Sequence, residues 1–589
     1  MSSVSRIEAK EAKAGELFSE QFIFEVPIYQ RPLSWAREHF EQLITDIMDA
    51  MNSQEEQYFL GSIVLNERKE RRYEVIDGQQ RLTALTILLA IIRDLIRDED
   101  RKREIHSYIY QEERPLKGIP AIMRVVPWED LQRLFQDYIY TVGKTRELLE
   151  DFMNGRIKYA DKQDPVYHLY EAVSVFYEKL SDMDDRQLEE LSKYLLNNVY
   201  FVYIKTTSRS SAFRLFNVLN TRGLPLSTID ILKSVNLEAI DEDHLRKKYA
   251  YKWRELEEDI GREELDNLIA YVRMIKVKRK ARLSMYDEYE RMFKAGLLKK
   301  GMEFFEYIYN MAEIYRDKIL DPQINAKNSE LKNRYIAIVD VMKRYLPFSD
   351  WIPPVMAFHH KFRDEDALSL FLLKLEKKVF IEWLAGFSVT ERITSMARIL
   401  RLIEKSNSSE DVINNMFVHE EEEPRKGKKG RVIDFHDRKL VEEILIGKLD
   451  DPQLYTLHGG KLAKYVLLRM DIELWNLESV LPKYQGMVTV EHILPRNPPP
   501  DSEWIKKFSE EERRIWTDKL GNLVLLSGRK NSKAGTRDFK KKKETYFRRK
   551  CTPFRITQEI MDYDDWNVDV LENRHHILME RAKDIYLTL

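Results

Sequence analysis

The sequence predicts an α+β chain that is predominantly helical, and three observations carry that expectation. Short β-branched runs stand among helix-period segments in residues 1–235. Residues 236–405 keep an amphipathic-helix period almost throughout, rich in aromatics and poor in glycine. Residues 406–589 then order a strand, an insertion, a second strand and a helix. Alternation marks half-buried strands and a 3.6-residue period marks helices, so the three textures read as three domains with those bounds. At 589 residues the chain has room for them at about 150 residues per domain.

Taken in order, residues 61–65 (GSIVL) and 73–76 (YEVI) read as strands joined by a charged connection at 67–72. Residues 79–97 have helical apolar spacing, about 100–198 form a mostly helical insertion, and 199–204 (VYFVYI) return as a buried strand. The middle helices break near Gly301, Pro322 and Pro353-Pro354. The aromatics Tyr249, Tyr251, Trp253 and Tyr271, at helical spacing, read as core rather than as platforms for a flipped base. The acidic-then-basic stretch 420–431 is the linker candidate, because like-charge blocks with glycine and proline resist packing.

Composition narrows the class. With 43% hydrophobic and 33% charged residues the chain can build cores and is not globally disordered. Its longest apolar stretch, within 82–92, stops at Arg93, well short of the ~20 residues a bilayer span needs. The charged N-terminus lacks a signal-peptide core, and the single cysteine, Cys551, excludes a disulfide scaffold. A soluble cytoplasmic protein without a membrane partner is the expectation. Net charge is only −2, from 97 Lys+Arg against 99 Asp+Glu, yet residues 529–550 gather eleven Lys/Arg against Asp538 and Glu544. Arg529, Lys530, Lys533, Arg537, Lys540, Lys541 and Lys542 are therefore candidate DNA-phosphate contacts. The shorter run over 273–282 reads as a solvated helix face.

In the C-terminal part, VTVEHILPRN (488–497) puts Glu491 and His492 at the end of a β-branched strand. A second strand around 522–526 follows, then a polar turn, a helix predicted to start at Asn531, and the basic run. Strand, insertion, strand and helix form the ββα frame of a one-metal nuclease. A phosphodiester's charge repels nucleophiles; a divalent cation neutralises it while a neutral imidazole takes a proton from water. His492 is the candidate base, and Glu491 and Asn531 the hard oxygen ligands for Mg²⁺ or Mn²⁺. Asn522 is read as catalytic support, orienting the His492 ring.

Near the N-terminus no G-x-x-x-x-G-K-[ST] pattern occurs. Instead Tyr73–Thr83 reads strand, Asp77-Gly78-Gln79-Gln80-Arg81, helix start. Gly78 permits a tight turn, the first N–H groups of the helix face an anion, and Arg81 offers a guanidinium fork. Asp77 serves equally as a cation or ribose ligand or as a helix cap.

EHILP, then LGNLVLL, then Asn531 nine residues after Asn522 resemble the HNH nucleases, in particular the C-terminal domain of GmrSD-like (BrxU-like) single-chain type IV modification-dependent restriction endonucleases. That resemblance implies the same roles for Glu491, His492, Asn522 and Asn531. The Asp77–Arg81 turn, with clusters at 26–35 and 213–226, resembles the family's ParB/sulfiredoxin-like N-terminal domain. It implies nucleoside-triphosphate binding and hydrolysis, with Gln30, Arg31, Asp77, Gly78, Gln79, Gln80 and Arg81 as the nucleotide-binding residues, joined by Asn217, Asn220 and Arg222. The family implies a phage-defence endonuclease that cleaves modified DNA, such as glucosylated or hydroxymethylated cytosine, under nucleotide control. Cutting both strands implies a homodimer. The alternative is a nucleotide-switched DNA-binding protein or NTPase regulator in which cleavage is absent or incidental.

Overall fold

The computed structural model describes residues 7–27, 30, 32–69, 71–113, 115–117, 120–162, 164–207, 228–418, 431–484, 486–547 and 551–588. The linker candidate at 420–430, and Arg31, Asn217, Asn220 and Arg222 of the site, lie outside the described residues. The chain divides into two compact units, 1–251 and 252–589. The central helices and the C-terminal module therefore share one unit.

The first unit is built on a six-stranded mixed sheet of β1 (Ile7–Lys13), β2 (Ile23–Glu25), β3 (Tyr58–Lys69), β4 (Arg72–Asp77), β5 (Val125–Val126) and β6 (Val199–Thr206), in the order β1-β6-β3-β4-β2-β5. β3 and β4 are antiparallel, with Lys69 opposite Arg72, so the strands run through the charged residues expected to connect them. The register shifts between Glu67 and Lys69, an irregularity by which the ladder continues past Arg68 to the end of the strands. β6 pairs parallel to β3 and antiparallel to β1. Ile63, Leu65, Tyr73, Val75, Phe201 and Tyr203 point to one face and join helix α1 (Gln79–Leu95) in a single core. Residues 82–93 of α1 are buried on every side, which is why its apolar run is continuous rather than striped. The insertion at 100–198 is mainly helical, with short two-residue strands at 110–111, 122–123 and 125–126.

In the second unit, α2 (Glu365–Leu384) buries fourteen of its twenty residues. Its Glu376 accepts the hydroxyls of Tyr465 at 2.8 Å and Tyr586 at 3.1 Å and faces Arg469 at 3.4 Å. Tyr465 and Arg469 lie on α3 (Lys461–Glu473), so a buried ion pair with its hydrogen bonds satisfied joins central helices to C-terminal module. The 273–282 run is a solvated face only in part: Arg279, Lys280 and Arg282 are exposed, but its first residues are not. Arg273 is buried against Glu288 at 2.7 Å, and Lys278 pairs with Glu404 at 2.7 Å. Tyr249 and Trp253 are buried as expected, whereas Tyr251 is 63% exposed.

The C-terminal module holds β7 (Val488–His492) antiparallel to β8 (Leu523–Ser527), followed by α4 (Gly528–Ala534), α5 (Phe539–Phe547) and α6 (Val568–Leu587). Helix α4 starts three residues before the expected Asn531, because Gly528 begins the turn directly off the strand. Trp504, Trp516, Val524, Leu526, Phe539, Tyr546 and Trp566 build the core beneath. Among the described residues no helix is long and apolar enough to cross a membrane.

Candidate functional site

The β7–β8 ladder sets Glu491 opposite Val524 and His492 opposite Leu523. Neighbouring residues of a strand point to opposite faces, so the Glu491 carboxylate and the His492 ring begin on different sides of β7. Thr489 shares the Glu491 side.

On that side Glu491 is buried. Its Oε1 accepts Lys542 Nζ at 2.7 Å and the Tyr546 hydroxyl at 3.1 Å. Lys542 and Tyr546 are four apart on α5, so they share its inward face. Lys542 also donates to the His492 carbonyl at 2.5 Å, making one ammonium common to both motif residues. Burial pushes the Glu491 carboxyl up, opposed by Lys542 and Tyr546; burial pushes the Lys542 ammonium down, opposed by Glu491. Asn531 on α4 donates its amide to Thr489 Oγ1 and to the Val490 carbonyl, both at 3.0 Å. Its Oδ1 is left over, as is Glu491 Oε2. These are hard oxygen donors, the kind Mg²⁺ or Mn²⁺ takes together with water. Among the described residues no cluster of three or more His, Cys, Asp or Glu is placed to hold a metal.

On the other side, His492 Nε2 lies 2.8 Å from Asp518 Oδ1. Arg496 grips the same carboxylate with both ends of its fork, Nε to Oδ1 at 2.8 Å and Nη2 to Oδ2 at 2.6 Å. Burial would raise the Asp518 carboxyl, but hydrogen bonds from His492 and Arg496 prevail and hold it down at about 2. An ionised carboxylate cannot donate, so Nε2 carries a hydrogen, and in the neutral ring Nδ1 is then the nitrogen with the lone pair. The Tyr455 ring meets His492 edge-on at 4.4 Å and lies under the Arg496 guanidinium at 4.7 Å.

Asn522 does not reach the His492 ring. Fully buried in the turn before β8, its Oδ1 accepts Leu494 N–H at 2.7 Å, and its amide donates to Leu494 O at 2.8 Å and Thr517 O at 2.7 Å. It clamps the chain leaving His492 rather than the imidazole. Of the basic run, Arg529, Lys533, Arg537, Lys540 and Lys541 are exposed. Lys542 is buried on Glu491 and cannot be a surface phosphate contact, and half-buried Lys530 donates to the Tyr546 carbonyl. Arg548, Arg549 and Lys550 lie outside the described residues.

At the N-terminal turn, Gly78 has φ +92°, and a Cβ there would sit 2.3 Å from Ile63 Cγ2, so glycine answers both conformation and space. Asp77 accepts the Gly78 N–H at 2.8 Å, which fixes the turn without capping the helix; burial raises its carboxyl, opposed by Arg81 and that hydrogen bond. Arg81 donates to Leu60 O at 3.1 Å and Ser62 O at 2.8 Å and lies 3.8 Å from Asp77. Its fork is thus engaged with β3. Gln80 pins the 32–34 loop through Pro32 O at 2.9 Å and Ser34 N at 3.1 Å, and buried Gln30 donates to Ile76 O at 2.9 Å. Helix α1 begins with no side-chain cap, its first backbone bond running from Leu82 N to Gly78 O. Beside it a pocket of about 10 Å³, lined by Val26, Leu33, Gln79, Gln80, Thr83 and Trp128 among others, has room for one water.

Sequence reasoning missed Asp518 and Tyr455, which meet the His492 ring from other segments of the chain, and Arg496, which grips Asp518. It also missed the pairing of Lys542 and Tyr546, for which the i, i+4 spacing was an available signal.

Two family models match the chain. The N-terminal domain of the GmrSD restriction endonucleases covers residues 14–237, and their C-terminal domain covers residues 442–581. Together they span more than half of the sequence. No curated protein matches it.

Proposed function

The chain belongs to the GmrSD-like type IV restriction endonucleases, and from that premise we propose that it cuts foreign DNA in an HNH-type C-terminal domain, with His492 as the base and Glu491 and Asn531, whose side chains start from the other side of β7, as the metal ligands. The observation that carries the proposal is the placement of His492: its Nε2 lies 2.8 Å from Asp518 Oδ1, so in the neutral imidazole Nδ1 is the nitrogen left to accept a proton from water. Glu491 Oε2 and Asn531 Oδ1 would hold Mg²⁺ or Mn²⁺. Such a cation, when bound, neutralises phosphate charge and the leaving oxygen. Asn522 keeps the segment after His492 in place, and the exposed Arg529, Lys533, Arg537, Lys540 and Lys541 meet backbone phosphates without reading sequence.

The N-terminal unit, in the ParB/sulfiredoxin-like reading, binds a nucleoside triphosphate at the Asp77–Arg81 turn and governs cutting. The uncapped start of α1 supplies N–H groups for phosphate, while Gln30, Gln80 and Arg81 shape the turn from behind. Preference for modified DNA, and a dimer acting on both strands, rest on the family resemblance. Digestion of matched modified and unmodified phage DNAs, with Mg²⁺ or Mn²⁺ and each triphosphate in turn, tests this reading. Cutting confined to modified DNA supports it, and equal cutting of both removes the modified-base preference.

A further inference from the structure

We infer that Asp518 is the positioning residue of the His492 base, with Arg496 holding the Asp518 carboxylate in place. The inference rests on the reading of His492 as the proton acceptor and assigns it a partner from outside the motif. Asp518 Oδ1 takes two donors at once, His492 Nε2 and Arg496 Nε, each at 2.8 Å, while Oδ2 takes Arg496 Nη2 at 2.6 Å. A carboxylate gripped this way cannot rotate without breaking all three bonds, so the imidazole is held in one orientation and one tautomer.

Two further contacts make the arrangement specific. Tyr455 closes the ring's flank, and its backbone N–H donates to the Asp518 carbonyl at 3.1 Å. Asn522 binds Thr517 O, the residue before Asp518, and Leu494, two residues after His492. The loop bearing Asp518 and the loop leaving His492 are therefore tied together. When Nδ1 takes a proton from water, the ring becomes an imidazolium, and the Asp518 charge offsets it; the proton remains on His492 and Asp518 stays ionised. Arg496 tempers that carboxylate beforehand. Its side chain is 43% exposed, whereas that of Asp518 is 17% exposed.

The test is a double-mutant cycle on the full chain, reading single-turnover plasmid nicking in Mn²⁺ beside plasmid binding and thermal stability. Asp518→Ala is expected to lose about 10–100-fold in nicking, the usual cost of removing a residue that orients a working ligand or base, with binding unchanged. Asp518→Asn, which preserves volume and so guards against misfolding, is expected to fall between. In a His492→Ala background Asp518→Ala is expected to change nicking less than about 2-fold, because a residue acting through another loses its effect when that other is gone. Wild-type nicking by Asp518→Ala, or a full loss multiplied onto that of His492→Ala, overturns the inference. Should His492→Ala itself nick like wild type, the base reading falls instead, and the two failures are thereby told apart.

Discussion

A buried carboxylate is costly unless something balances it, and at Glu491 the balance is one ammonium. Lys542→Met should therefore act on stability rather than on DNA affinity, at about 3–5 kcal/mol, the range for stripping one partner from a buried pair; denaturant titration measures it, and a neutral variant would deny that the pair is buried. Glu491, His492 and Asn531 were legible in the sequence because their signal is local: a short strand, a stop, and an asparagine at fixed spacing. Asp518 was not, because it meets His492 from 26 residues away, and no periodicity ties two loops that only the fold brings together. Asn522 was placed near the right atoms with the wrong bonds. Its two-ended amide is taken up by backbone groups of Leu494 and Thr517 and by the Trp566 indole N–H, which a list of residue types cannot disclose.

Helix α5 separates two roles over three consecutive lysines. Successive side chains turn by about 100°, so Lys540 and Lys541 face solvent while Lys542 faces Glu491. Replacing Lys540 or Lys541 by alanine should weaken DNA binding about equally for all sequences and lower the salt slope by about 1 for each phosphate no longer neutralised; binding isotherms over a salt series read this, and an unchanged slope would take α5 off the DNA. Helix α3 carries a pH-dependent joint. Burial pushes the Asp471 carboxyl up to about 6, opposed by hydrogen bonds from Ile556 N–H, Trp475 and Tyr484. Its native form holds the proton more tightly than the unfolded chain, whose value is near 3.8, so its contribution to stability rises as pH falls through 6. At pH 7 the penalty reaches about 3 kcal/mol. Denaturation at pH 7 and pH 5 should show wild type gaining relative to Asp471→Asn, and parallel curves would contradict it. At the N-terminal turn, Gly78→Ala should destabilise by about 1–3 kcal/mol, through positive φ and the Ile63 methyl group together.

For the whole molecule, the sequence texture anticipated the strand-and-helix first part, the helical middle and the strand–strand–helix end. It did not anticipate that middle and end form one unit, because the Glu376–Arg469 pair joining them is a buried charge contact with no sequence period. The strand order β1-β6-β3-β4-β2-β5 was likewise out of reach, since β6 returns to β3 only after a long helical insertion. If nucleotide at the first unit governs the second, Arg81→Ala should alter the response of cleavage to triphosphate, and identical rates with and without nucleotide in both proteins would contradict that coupling. The most direct test of the account is metal-dependent plasmid nicking by the wild-type chain and His492→Ala. It predicts nicking with Mg²⁺ or Mn²⁺, none in chelator, and a loss of about 10²–10⁴-fold in the variant with plasmid binding intact; equal nicking by the two proteins would contradict it.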